Sequence, residues 1–348
     1  MGNVPSTIVP FFRIVTIAGS PLPSGDENPV NPAKAPSAAA ATKITAGNRI
    51  AYVIARGFGD NRRFELVTDD ANGGDCQVIV SSREPLMSPA WSPDGEQLAY
   101  VGFIHGGSAI FTVDLRSHTP RLITQEPGVN GAPAWSPDGK SLAVSLSFGK
   151  NADIYVVELA SGKRKRLTDN PAIDTEPAWS PDGNSIAFTS DRGGLPQIYI
   201  VASSGGAAEK LSIEGKKNMK PAWSPDGDEI ALVHYEGNRS KIGLLHLKGH
   251  VFRTVSTGPM DECPSFAPES DKLIYADVQK ANLSVITTGQ QMIKRIPQQG
   301  DVHEVAWWTP RRGASAVMAT PSRSSFVAPS TTDERITQES LPHSYDQP

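Results

Sequence analysis

Apolar residues in this chain come in short runs of about six, each cut off by Gly, Pro, Asp or Ser. Ser185–Ser190 (SIAFTS), Gln197–Ala202 (QIYIVA) and Ala208–Ser212 (AEKLS) form one such set; one period earlier it is Ser141–Leu146, Asp153–Glu158 and Arg164–Thr168. Runs this short, rich in β-branched and aromatic residues, predict strands. Ahead of the sets stands Pro-Ala-Trp-Ser-Pro-Asp-Gly, at Pro89–Gly95, Pro133–Gly139, Pro177–Gly183 and Pro221–Gly227. Its tryptophans, Trp91, Trp135, Trp179 and Trp223, are spaced by 44 residues; decayed copies follow at Phe266 and Trp307, after 43 and 41. Six copies at this period predict one supersecondary unit that buries its apolar face only by stacking on its neighbours. With the Trp segment as the first strand, each unit supplies four antiparallel strands, which predicts an all-β chain folded as a propeller.

The repeat also predicts its own turn. Proline presets φ, the aspartate bonds back to the backbone, and glycine accepts the positive φ that closes the hairpin. The tryptophans are expected to pack between adjacent sheets. Strand counting predicts the closure. Arg49–Ala55, Phe64–Thr68 and Gln77–Ser81 are three strands with no Trp strand ahead of them, and His303–Trp308 is a Trp strand with no set behind it. Joined, they make a sixth blade from both ends of the repeat region and remove the free sheet edges. Six blades are expected.

The repeats fill 47–310 of the 348 residues, enough for a large closed core. Segments 1–46, Pro/Ala-rich, and 311–348, Ser/Thr/Pro-rich, lack this periodicity and are expected to be disordered. A formal charge of −4 implies no general field for nucleic acid, and the basic run Lys163–Arg166 reads as an exposed outer strand. Cys76 and Cys263 fall at different strand positions of different blades, so neither a disulfide nor a Cys/His metal site is expected. No run is long enough for a transmembrane helix. Ile8–Ala18 is an apolar stretch that would suit a secretory signal, but Arg13 interrupts it and no basic segment precedes it.

The words around the repeats carry a family resemblance. PLMSPAWSPDG (Pro85–Gly95), NGAPAWSPDG (Asn130–Gly139), TEPAWSPDGNSIAFTSDRGGLPQIY (Thr175–Tyr199) and DECPSFAPESDKLIY (Asp261–Tyr275) resemble, in this order, the propeller of the TolB family. That resemblance implies a six-bladed, non-catalytic platform in the periplasm. Such a platform acts in the Tol–Pal cell-envelope system, which helps maintain the outer membrane and its constriction at division. It implies the peptidoglycan-associated lipoprotein Pal as partner, and a monomer tied to the outer membrane through Pal. The family's N-terminal α/β domain, which engages TolA, has no match in residues 1–46, so TolA binding is not expected here.

In a propeller the inner strands line a central channel, so the residues just ahead of each aromatic converge at one mouth. The pairs four and three places before the aromatic are Met87-Ser88, Gly131-Ala132, Thr175-Glu176, Met219-Lys220, Glu262-Cys263 and His303-Glu304. They are the least repetitive residues of a repetitive unit, and varied residues at a common mouth shape a binding surface. By the resemblance, the candidate Pal contacts are Met87, Ser88, Asn130, Gly131, Ala132, Thr175 and Glu176. Their neighbours at the mouth, Asp174, Met219, Lys220, Glu262 and His303, complete the candidate set. Met87 and Met219 are expected to supply an adaptable apolar patch. Glu176, Glu262 and Glu304, with Asp174 and Asp261, are expected to make the mouth acidic, suited to a basic partner or to a calcium ion. Ordinary solvated charge is the alternative. His303 would be a pH-sensitive contact or a simple polar rim group.

Enzyme readings do not fit. Ser180-Pro-Asp-Gly lacks the Thr-Trp that ends a sialidase box, no Gly-x-Ser-x-Gly elbow marks a peptidase domain, and Gly162-Lys163 is not in a phosphate loop. No cofactor is expected beyond the calcium considered above. The alternatives to the Tol–Pal reading are a generic peptide- or glycan-binding propeller, or the accessory propeller of a peptidase whose catalytic domain is missing.

Overall fold

The computed structural model describes residues 48–149, 151–211 and 217–310. The terminal segments expected to be disordered, and with them Ile8–Ala18, lie outside the described residues. Six four-stranded antiparallel sheets make up the fold, with two short 3-10 turns at Gly59–Asn61 and Val278–Lys280. Blade 1 orders Asp301–Trp307, Arg49–Arg56, Arg63–Asp70 and Gln77–Ser82 from inside to outside. Its inner strand thus comes from the far end of the repeats, pairing Ile50 with Trp307 and Tyr52 with Val305. Blades 2 to 6 begin with the inner strands Met87–Trp91, Asn130–Trp135, Asp174–Trp179, Lys217–Trp223 and Asp261–Phe266. Neighbouring inner strands touch in cyclic order, so the ring is closed as the strand count predicts.

Apolar side chains gather in six clusters, one between each pair of adjacent blades. The core is therefore a ring of inter-blade layers, and a single blade has no core of its own. The tryptophans do more than fill these layers. The indole N–H of Trp135 donates to the carbonyl of Ala90 at 3.1 Å, and Trp223 does the same to Ala178. Trp91 donates to Ala306, also at 3.1 Å, across the closure. In each case the acceptor immediately precedes the aromatic of the preceding blade, so the Ala-Trp pair staples consecutive inner strands. At the closure Arg49 lies 4.5 Å over the Trp91 ring and 5.7 Å over Trp308, and donates to Gly95 O.

The Ser-Pro-Asp-Gly turn is self-contained. The Ser92 hydroxyl donates to Asp94 and accepts from Gln97 N, while Asp94 accepts from Glu96 N and Gly95 takes φ +71°. The same pattern recurs at Ser136, Ser180 and Ser224. These serines are bound into turn architecture, which accounts for their repetition. Two of the outermost strands are shorter than expected: Arg164–Arg166 and Glu209–Lys210 are three and two residues long and exposed. Their charged side chains blunt the sheet edge.

Candidate functional site: the central channel

Every inner strand is irregular at one point. In five blades the residue three before the aromatic is left-handed: Ser88 (φ +52°), Ala132 (+48°), Glu176 (+56°), Lys220 (+54°) and Cys263 (+53°). Each is followed by proline, and the ladder register slips there, between Thr175 and Ala178 for example. This is a β-bulge in which Pro occupies a place where no ladder donor is needed. Left-handed backbone in a residue with a side chain costs about 1–3 kcal/mol and persists only when the surroundings enforce it. Blade 1 differs: it has Val305 instead of proline, and His303 is the extra residue of its bulge.

The bulge aims these residues at the channel, where neighbouring blades meet through them. Glu176 Oε2 accepts from Lys220 N at 3.0 Å and from the Thr189 hydroxyl at 2.8 Å. Lys220 Nζ lies 3.1 Å from Cys263 Sγ and 3.6 Å from a Glu262 carboxylate oxygen. Glu304 accepts from Ser88 N, linking blades 1 and 2. The side chains of Glu176, Lys220 and Cys263 are walled in by the sheets while keeping some access to the channel space. Burial raises the Glu176 pKa despite Lys220 opposite, with Glu304 adding to the effect. Burial works against the Lys220 ammonium too, yet Cys263 and the facing carboxylates Glu304, Glu262 and Glu176 more than offset it and hold its pKa well above the ordinary value. Burial also pushes the Cys263 thiol up. All three shifts arise in one enclosed cluster, where burial acts together with more carboxylates than cations.

Five residues before each aromatic the side chain is buried instead of channel-facing. Asn130 folds onto its own loop, accepting from Glu126 N and donating to the carbonyls of Glu126 and Gly128. Asp174 is fully buried and its carboxylate takes a 2.7 Å bond from Arg192, whose guanidinium also lies over Phe188 and Tyr199. Asn218 bonds Gln197 and His234, and Asp261 accepts from Gly258 N. The expected acidic mouth is accordingly narrower than the sequence suggested, because Asp174 and Asp261 are loop ties and the charge resides in Glu176, Glu262 and Glu304. Met219 is buried, and Met87 packs into the layer between blades 2 and 3, so the expected methionine patch is not on the surface. Gly131 and Thr175 are buried, with the Thr175 hydroxyl 3.2 Å from that of Ser145. Ser88, Ala132, Lys220 and Glu262 are half-buried at the channel, and His303 is exposed. Among the described residues no three His, Cys, Asp or Glu side chains are grouped to hold a metal ion. Cys76 and Cys263 are free thiols.

Comparison with known proteins agrees with this architecture. Residues 41–311 match the family model described as the TolB beta propeller domain. The Tol-Pal system protein TolB of Xanthomonas campestris pv. campestris is 49% identical over 84 residues, 24% of this chain and 19% of that protein. Its counterpart in Methylococcus capsulatus is 46% identical over 84 residues, 24% of this chain and 20% of that protein. The aligned stretch thus spans about a fifth of these curated relatives. The crystal structure of TolB from Acinetobacter baumannii superposes with a TM-score of 0.71 at 36% identity, covering 75% of this chain and 67% of that one. A nidogen/laminin complex chain superposes at 0.62 with 10% identity, covering 76% of this chain and 99% of that one, a likeness of fold alone. With the family model spanning the six repeated blades and their closing strand, the chain belongs to the TolB β-propeller family.

Proposed function

We propose that this propeller is a non-catalytic protein-binding module of the Tol–Pal cell-envelope system, acting in the periplasm as a monomer. It docks Pal at the channel mouth where the inner strands begin, and so supports outer-membrane integrity and constriction at division. The observation that carries the reading is the channel ring itself. Scaffold positions repeat from blade to blade, whereas the equivalent ring positions carry a serine, an alanine, a lysine, a cysteine and two glutamates: Ser88, Ala132, Lys220, Cys263, Glu176 and Glu304. A constant scaffold with a varied ring is what selective recognition of one partner requires. The names of the relatives supply the system, and the net carboxylate excess suits a partner that brings positive charge to the mouth.

Titration calorimetry of the full chain with purified Pal, first at low and then at physiological salt, tests this. Saturable binding that weakens as salt rises is expected. Absence of binding at low salt would overturn the reading. Cell fractionation checks location, with the chain expected in the periplasmic extract.

A further inference from the structure

Eight large apolar side chains are exposed among the described residues. Five of them, Val78, Leu122, Val251, Met292 and Ile293, lie on outermost strands. The other three are Phe58, Phe148 and Leu195, exposed by 90%, 53% and 47%. All three sit at hairpin tips between the second and third strands of blades 1, 3 and 4. Ala55 pairs with Asp301, Leu146 with Asn130 and Ser190 with Asp174, so these tips stand on the face where the inner strands begin. Among the described residues the turns of the opposite face, the four Ser-Pro-Asp-Gly turns included, expose no large apolar side chain. Scattered apolar residues need no explanation, but a set confined to the loops of one face does.

The Phe58 tip is built to present its ring. Gly57 (φ +74°) and Gly59 (φ +56°) flank it, and a Cβ on Gly57 would lie 2.6 Å from Asn61 O, so the chain turns tightly beneath the phenylalanine. Ion pairs Arg56–Glu65 at 2.9 Å and Arg62–Asp301 at 3.2 Å brace the base of the tip, and Arg56 also donates to Gln299 O. A braced aromatic in water pre-pays the ordering of a contact residue and gains only when a partner covers it. Blades 1 and 4 face each other across the six-membered ring, so Phe58 and Leu195 flank the mouth from opposite sides, with Phe148 on blade 3, next to blade 4. Between them the channel holds Glu176, Glu262 and Glu304 around the ammonium of Lys220. Charge complementarity therefore calls for a protein that brings a basic protrusion to the centre and apolar surface around it.

We propose that Phe58, Phe148 and Leu195 are the apolar anchors with which this face grips a folded protein partner whose basic protrusion enters the channel mouth. This rests on the Tol–Pal reading, in which that partner is Pal. The test is calorimetric titration of purified Pal into the full chain and into Phe58→Ser, the triple variant Phe58→Ser/Phe148→Ser/Leu195→Ser, and the controls Leu122→Ser and Val251→Ser. Phe58→Ser is expected to weaken binding about tenfold and the triple about 100-fold or more, with the controls within about twofold. Melting curves of the variants should match the unsubstituted chain, since these side chains are exposed. A triple variant that binds Pal as tightly as the unsubstituted chain overturns this inference alone. Should the triple not fold, Phe58→Ser at its 90% exposed position decides by the same criterion. An unsubstituted chain that does not bind Pal overturns the Tol–Pal reading and this inference with it.

Discussion

Replacing Trp91 tests the closure of the ring directly. Trp91 is 8% exposed, donates to Ala306 O at 3.1 Å, and carries the Arg49 guanidinium 4.5 Å over its ring. Truncating a buried tryptophan to alanine costs about 3–5 kcal/mol through lost contacts and the cavity left behind. The orphaned carbonyl of Ala306 is part of that loss, worth about 1–3 kcal/mol by itself. Trp91→Phe keeps most of the buried area and isolates this second part, so about 1–3 kcal/mol is expected for it. For a domain of this size the alanine variant should melt on the order of 10 °C lower. Trp135, which makes the same bond to Ala90 within the continuous run of blades 2 and 3, is the comparison. Hydrogen exchange separates the two sites. Trp91→Phe should expose the amides of the Ile50–Tyr52 and Val305–Trp307 pairing first, whereas Trp135→Phe should leave that seam protected. Urea unfolding followed by circular dichroism gives the magnitudes. An unchanged midpoint for Trp91→Ala, or equal seam exchange in both phenylalanine variants, would refute the stapled-closure reasoning.

Arg192→Met strands the fully buried Asp174 carboxylate without its 2.7 Å partner, and should cost about 3–5 kcal/mol in a urea titration. The folded pKa of Lys220 lies above the ordinary 10.5, so its stabilising contribution is complete below about pH 10.5 and is lost as pH rises through the folded value. Lys220→Met should lower stability by about 1–3 kcal/mol at neutral pH and flatten the decline seen above that pH in stability-versus-pH curves. Gly95 (φ +71°) and Gly162 (φ +69°) share a left-handed backbone, but only a Cβ at Gly95 would meet Trp308, at 2.6 Å. Gly162→Ala should cost about 1–2 kcal/mol and Gly95→Ala about 1–3 kcal/mol more, and equal melting points would remove Trp308 from the closure.

The sequence alone determined the number of blades, the strand order within each, and the joining of the first and last segments. These rest on local signals repeated around the ring: an aromatic and short β-rich runs in all six units, and a Pro-Asp-Gly turn in four. It also placed Glu176, Lys220, Cys263 and Glu304 near one mouth, because equivalent positions of a repeat meet around the axis. Which neighbours point into the channel was decided only by the tertiary structure. Strict alternation along an inner strand assigns faces by counting, but the left-handed residue before each proline inserts an extra step and changes the parity. Asp174 and Asp261 consequently turn away from the mouth into their loops, and Met219 goes into the protein interior. Nothing in the local run announces these partners, since Arg192 reaches Asp174 from 18 residues away and Ala306 meets Trp91 from 215. Local sequence sets turns and strands through short-range sterics, whereas charge pairing and burial depend on what the closed ring brings alongside.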